Sequence, residues 1–78
     1  IMFSVIFIEK EDHVKISFRS KGDFHANVFA AEHFNGGGHK NAAGGYSELS
    51  LEKTLEKFEN LLPDYKKQLL KNHIHNVE

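Results

Sequence analysis

A chain of 78 residues, 40% of them hydrophobic and seven of them phenylalanine, has room for one small packed domain and is not disordered. Its formal net charge of −1 argues against a protein that holds long nucleic-acid duplexes by bulk electrostatics, but a few donors gathered in one place still make a local anion site. The absence of cysteine excludes a disulfide framework and a thiolate zinc site, and fits a reducing, cytoplasmic setting.

The apolar run Ile1–Ile8 is too short to span a bilayer and has no basic leader, so it reads as a buried strand rather than an anchor or signal peptide. The sequence opens with Ile already inside this strand, and on that ground reads as a fragment from which something upstream was removed. Lys10-Glu11-Asp12 ends the run. Val14, Ile16 and Phe18 then alternate with Lys15, Ser17 and Arg19, the period of a half-buried strand, and the short polar link predicts a hairpin.

Ser20-Lys21-Gly22-Asp23 breaks the second strand. Asp23 is placed to cap a helix beginning at Phe24, whose apolar face is expected to carry Phe24, Val28, Ala31 and Phe34. Asn35 and three glycines end that helix, because glycine enters the left-handed conformation without steric cost. Tyr46–Leu49 returns to a strand. Ser50 caps a helix with Leu51, Leu55, Phe58 and Leu62 on one face. Pro63 is expected to separate it from a last helix over about Asp64–Asn72, with Tyr65 and Leu69 inward. The expected fold is α/β or α+β. A small mixed sheet of about three strands is covered by helices in the order β-β-α-(Gly loop)-β-α-α, with a crossover where strands flank the first helix.

The segment Gly36–Gly45 carries the strongest functional signal. Half of its residues are glycine and two more are alanine, a composition that is costly to order unless something must approach the backbone closely. Successive amides of a tight glycine-rich turn can converge on one anion. A helical turn starting near His39 would add its free amides. His39 and Lys40 supply charge, and Asn41 a hydrogen bond. The run lacks the Gly-Lys-Ser or Gly-Lys-Thr ending of a Walker loop. Arg19, the one arginine, stands at a strand end on the polar face, where its fork can reach a phosphate. His73 and His75, like His33 and His39, match no known metal spacing. The serines fit no nucleophile elbow, and Glu52, Glu56 and Glu59 read as a solvated helix face.

The segment FNGGGHKNAAGG, preceded by VKISFRSKGDFHANVFAAEH, resembles the DHH-associated domain of the DHH phosphoesterase superfamily. Within it, the segment is most similar to bacterial oligoribonucleases that also act as adenosine 3′,5′-bisphosphate phosphatases, whose relatives are often termed exopolyphosphatase-related. The resemblance is close over Val14–Gly45. It implies that 1–78 is a single substrate-binding domain, the C-terminal part of a two-domain enzyme. A missing N-terminal catalytic domain then carries two manganese ions on Asp and His ligands. No metal ligand, no other cofactor and no catalytic residue is carried over to this chain, which is expected to be inactive alone. The motif match assigns Arg19 and His39 to substrate phosphate, Gly37 and Gly38 to backbone donation, and Lys21 and Asn41 to lesser contacts. The implied ligand is short RNA or a phosphonucleotide, and no membrane is involved. Two other readings stay open: a non-catalytic nucleotide- or RNA-binding module, as in the DHH-associated domains attached to alanyl-tRNA synthetases, and a structural or dimerisation domain whose glycine run is only a tight crossover.

Overall fold

The computed structural model describes residues 2–71. Ile1, His73, His75, the expected helix end at Asn72 and the inward side chain expected of Leu69 lie outside what it describes. Its elements are β1 (Met2–Glu9), β2 (Val14–Lys21), α1 (Ala26–His33), β3 (Gly37–His39), β4 (Ala42–Ser47) and α2 (Leu51–Lys71). The expected α+β class holds.

β1 and β2 form the expected hairpin, in register from Met2↔Lys21 to Glu9↔Val14. The Lys10 N–H closes its turn on the His13 carbonyl at 2.8 Å. The alternation in β2 also holds: Val14, Ile16, Phe18 and Ser20 are buried, while Lys15, Arg19 and Lys21 are exposed.

The sheet differs from expectation in its third member. It has four strands in the order β1-β2-β4-β3, and every neighbouring pair is antiparallel. The glycine run is not a loop: Gly37–His39 form edge strand β3, Lys40-Asn41 turn, and Ala42–Ser47 return as β4 between β3 and β2. β2 and β3 therefore run parallel with β4 inserted between them, and the crossover expected around the first helix is a split β-α-β unit. His39 lies on a strand, so no helix N-terminus forms there.

α1 begins at Ala26, two residues later than expected. Asp23 does not cap it. Gly22 turns the chain at φ 78°, Phe24 enters the core before the helix starts, and His25 occupies the cap position with no side-chain bond. The Ala26 N–H instead donates to the Lys40 carbonyl at 2.7 Å. Because Phe24 is not helical, it does not set the helix face. Ala26, Phe29 and Ala30 point inward, whereas Val28 is 45% exposed. Asn35, not a glycine, takes the left-handed conformation after the helix, at φ 53°, which asparagine tolerates.

α2 starts where Ser50 Oγ accepts the Lys53 N–H at 3.2 Å, as the cap reading predicts. It then runs unbroken through Pro63, where two helices were expected. A proline removes one helical bond and strains the preceding turn. Here Leu61, Leu62 and Tyr65 pack against the core on both sides of it, and that packing carries the helix across. Phe58 is buried as expected, but Leu55 is exposed; buried Thr54 takes the inward place and donates to Ser47 Oγ at 2.8 Å.

Both helices cover the same side of the sheet. Phe29 is the hub of the core beneath them, with ring contacts to Phe3, Phe18, Phe24, Phe34, Phe58 and Tyr65 at centroid distances from 5.0 to 6.2 Å. Among the described residues, the opposite face of the sheet carries no helix. Two outcomes follow for chemical denaturation. Phe29→Ala is expected to cost about 3–5 kcal/mol, a large share of the stability of so small a domain. Pro63→Ala, which restores the missing helical bond, is expected to raise stability by up to about 3 kcal/mol and to increase helical circular dichroism.

Candidate functional site

Directly paired residues on neighbouring strands project from the same face of a sheet. Arg19 pairs with Ser4 on one side and Ala42 on the other, and Ala42 pairs with His39. The sheet thus lays Ser4, Arg19, Ala42 and His39 in one row across its open face. Arg19 and His39 are both exposed. At the usual strand spacing their backbones stand about 10 Å apart, with only the methyl group of Ala42 between them. The next row along the same face is Ile6, Ser17, Gly44 and Gly37.

Two hollows meet at Arg19. One is lined by Ser4, Arg19, Ser20, Lys21 and Asn41. The other is lined by Ser17, Arg19, Gly37, Gly38 and the first residues of β4. A guanidinium between them can swing its fork into either, while the polar atoms of Ser4 and Ser17 offer hydroxyls on each side.

The site residues expected from the sequence are brought together unequally. Arg19 and His39 share a row. Lys21 lies exposed at the end of β2, beyond the last rung shared with β4. Gly37 is exposed on the open face. Gly38 pairs with Ala43 on the other side of the strand and holds φ at 145°. Asn41 is a brace: its amide group donates to Ser20 Oγ at 2.9 Å, and more weakly to the carbonyls of Gly22 at 3.3 Å and Phe24 at 3.4 Å. The Ser20 N–H returns a bond to the Asn41 carbonyl at 3.0 Å, and Ser20 Oγ donates to the Phe24 carbonyl at 2.7 Å. These bonds tie the end of β2, next to Arg19, to the turn that follows His39. Lys40 reaches only the exposed carboxylate of Asp23, at 3.9 Å, a contact of little energetic weight.

Ser4, Ser17 and Gly44 belong to this face without having been singled out for it. Ser17 was accessible to reasoning, since it shares a strand parity with Arg19. Ser4 and Gly44 join only through the β1–β2 and β2–β4 registers.

Among the described residues, the two titratable groups that depart from ordinary values lie elsewhere. A hydrogen bond from His13 at 2.7 Å holds the Asp12 carboxyl below its usual range, in the exposed β1–β2 turn. Burial, and then the nearby carboxylates of Glu32 and Asp64, push the Tyr65 hydroxyl up. That hydroxyl shares a hydrogen bond of 2.6 Å with His33 Nε2 on the helix side. Among the described residues, no three His, Asp or Glu side chains converge as a metal site would require.

The DHHA1 domain family matches residues 2–71. Among solved structures, the crystal structure of an exopolyphosphatase-related protein from Bacteroides fragilis is similar with a TM-score of 0.79 at 45% sequence identity. That similarity covers 85% of this chain and 19% of the Bacteroides chain, so the chain spans under a fifth of that protein's length. No curated protein matches the sequence. With that family matched over nearly the whole chain, the chain belongs to the DHHA1 domain family.

Proposed function

We propose that this chain is the substrate-gripping domain of a manganese-dependent DHH-family phosphoesterase, and that it holds a phosphate of its ligand between Arg19 and His39. One observation carries the reading. The only arginine of the chain and the histidine of the glycine run rise from one row of a sheet face that no described element covers, with nothing larger than Ala42 between them. A guanidinium offers two parallel donors to a phosphate, and an imidazole N–H adds one from the far side. Gly37 and Gly38 keep the backbone beside them bare, and Lys21 adds positive charge at the strand end. Asn41 serves by bracing the end of β2.

The ligand in this reading is short: the end of an oligoribonucleotide or adenosine 3′,5′-bisphosphate. A net charge of −1 gives no general attraction for a long polyanion, whereas a two-residue grip suffices for one terminal phosphate. The chain then contributes position and charge neutralisation, a large part of phosphoryl-transfer catalysis. The manganese ions belong to a catalytic domain with which this one acts. The described residues assemble no ligand set for them, so no metal step is assigned here. A cytoplasmic setting goes with this reading. Among the described residues, no helix is long and apolar enough to cross a membrane.

A titration of isotopically labelled chain with adenosine 3′,5′-bisphosphate tests the grip. Shifts are expected at Arg19, at His39 and along β3 and the start of β4. Arg19→Ala and His39→Ala are each expected to weaken binding about tenfold or more, roughly 1.4 kcal/mol, without lowering the thermal midpoint. Two variants that bind like the parent would place the phosphate elsewhere. The purified chain is expected to hydrolyse neither this nucleotide nor a dinucleotide, with or without manganese. Turnover that co-purifies with the chain and disappears on mutation of its own residues would overturn the division of labour.

A further inference from the structure

The two edges of the sheet are unlike. β3, at one edge, has three residues, too few to template another strand. β1, at the other, has eight. Its register to β2 runs unbroken from Met2↔Lys21 to Glu9↔Val14, so no bulge interrupts it. Between Met2 and Ile8 it holds no charged residue and no proline. Free edges are normally blunted by shortness, charge, proline or a bulge, and β1 carries none of these. Among the described residues, nothing pairs with its outer side.

The flanks of this edge are apolar on both faces of the sheet. On the open face, Ile6 and Ile8 are 53% and 43% exposed. On the helix face, α2 lies over β1, with the Phe58 ring 5.4 Å from Phe7 and 6.2 Å from Phe3. One side of α2 meets α1: Lys57 Nζ donates to the His33 carbonyl at 2.6 Å and stands 4.7 Å from the centre of the Phe34 ring. Leu55, two residues before Lys57, is turned about 200° from it around the helix. Leu55 therefore points away from α1, toward the free edge, and Leu62, seven residues on, shares its stripe. Leu55 is 38% exposed and Leu62 half-buried. The unpaired backbone of β1 thus runs between two apolar ledges, Leu55 and Leu62 on one side, Ile6 and Ile8 on the other. A strand seated there is covered on both faces and must be apolar on both.

β1 is itself such a strand. We infer that this edge is a docking surface for a second copy of the chain, the two β1 strands pairing antiparallel about a two-fold axis so that two four-stranded sheets become one. An isologous contact of this kind needs no second patch on the molecule. Centred on Val5, the pairing sets residues 2–8 against residues 8–2. Paired residues then share a face, so both faces of the sheet continue across the joint, and no charged side chain enters the ladder. A net charge of −1 per chain opposes the association little. The Leu55–Leu62 stripes of the two α2 helices meet above the joint. The area is adequate: an edge about 27 Å long, about 20 Å deep with its helix layer, gives about 500 Å² on each copy and about 1,000 Å² in all, the threshold of a specific contact. The joined open faces set Arg19 of one copy three strand spacings, about 14 Å across the sheet, from Arg19 of the other. The pairing itself does not rest on the phosphate grip.

The test is analytical sedimentation of the 78-residue chain over a concentration series, with amide hydrogen exchange at the two ends of the series. The mass is expected to rise from 8.9 kDa toward twice that value and to stop there. At high concentration, protection is expected to appear at the β1 amides that do not bond to β2, and at no amide of β3. Ile6→Lys and Leu55→Lys each put a charge on one ledge at a position outside the buried core, and each is expected to raise the dissociation constant about tenfold or more. Val28→Lys, at a position 45% exposed on α1, is expected to change it by less than about twofold. Circular dichroism of each variant checks that it is folded. A chain that stays monomeric up to about 1 mM overturns the inference and leaves the edge to a strand of another polypeptide segment. A dimer whose β1 amides exchange freely overturns it too, since the contact then lies on another surface. So does growth beyond the dimer, the mark of a heterologous contact that does not close, or a dimer weakened equally by Val28→Lys.

Discussion

The arrangement depends on how closely β4 approaches the end of α1. The Tyr46 N–H donates to the Phe34 carbonyl at 2.8 Å, and Gly45 lies so near that a side chain there would collide with Phe34 and Phe18. Gly36 approaches Gly44 still more tightly. Without these approaches β4 could not lie between β2 and β3 under a helix that leaves Phe34 fully buried. The insertion of β4 in turn gives the sheet its order and puts β3 at its edge. Close packing between a helix end and a strand leaves few alternatives, because interiors do not deform continuously.

From that insertion the candidate site follows by register alone. β2 ends in Arg19-Ser20-Lys21 and β3 ends in His39. Only a strand shared between them, paired as Arg19↔Ala42 and His39↔Ala42, brings these two side chains into one row. The bonds between Ser20 and Asn41 then fix the end of this row. Alternation in β2 separates the tasks: Ser20 faces inward and holds the scaffold, while its neighbour Arg19 faces out. A side chain that only reaches outward from a braced strand is well placed to bind, since its own order is not needed to hold the fold.

Much of this was legible in the sequence. Two-residue alternation gave the first hairpin and the inner face of β2, and Ser50 marked the start of α2. The motif around His39, with Arg19 at its strand end, named residues that the fold does place together. The misreadings have physical causes. Phe24 has the spacing of a helix face but is buried from an extended segment, so the register of α1 was set from a residue outside it. Glycine and alanine have poor strand propensity, so β3 was invisible: its ladder to β4 is a tertiary consequence of the approach to Phe34. Pro63 announced a break that packing on both sides of it overrides. The bonds of Asn41 to Ser20 are likewise invisible in the sequence, because a side chain in a glycine run has no partner in view until the run folds against β2.

The two faces of the sheet also divide the energetics. The phenylalanine cluster, with both helices over it, sits on one side. On the other stand one guanidinium, one imidazole, a few hydroxyls and a strip of bare backbone. A phosphate bound there would face dipoles and donors already held by the ladder, at small reorganisation cost, and the domain would need no general positive charge to hold it. The same separation would let a net charge of −1 and the proposed anion grip coexist in one small chain: the grip would be local, set by register, and built from residues on the face away from the core. What remains unusual is the bare backbone itself. A sheet that keeps Gly37 opposite Gly44, where the described residues would admit alanine at both, gives up strand stability for space beside Arg19 and His39.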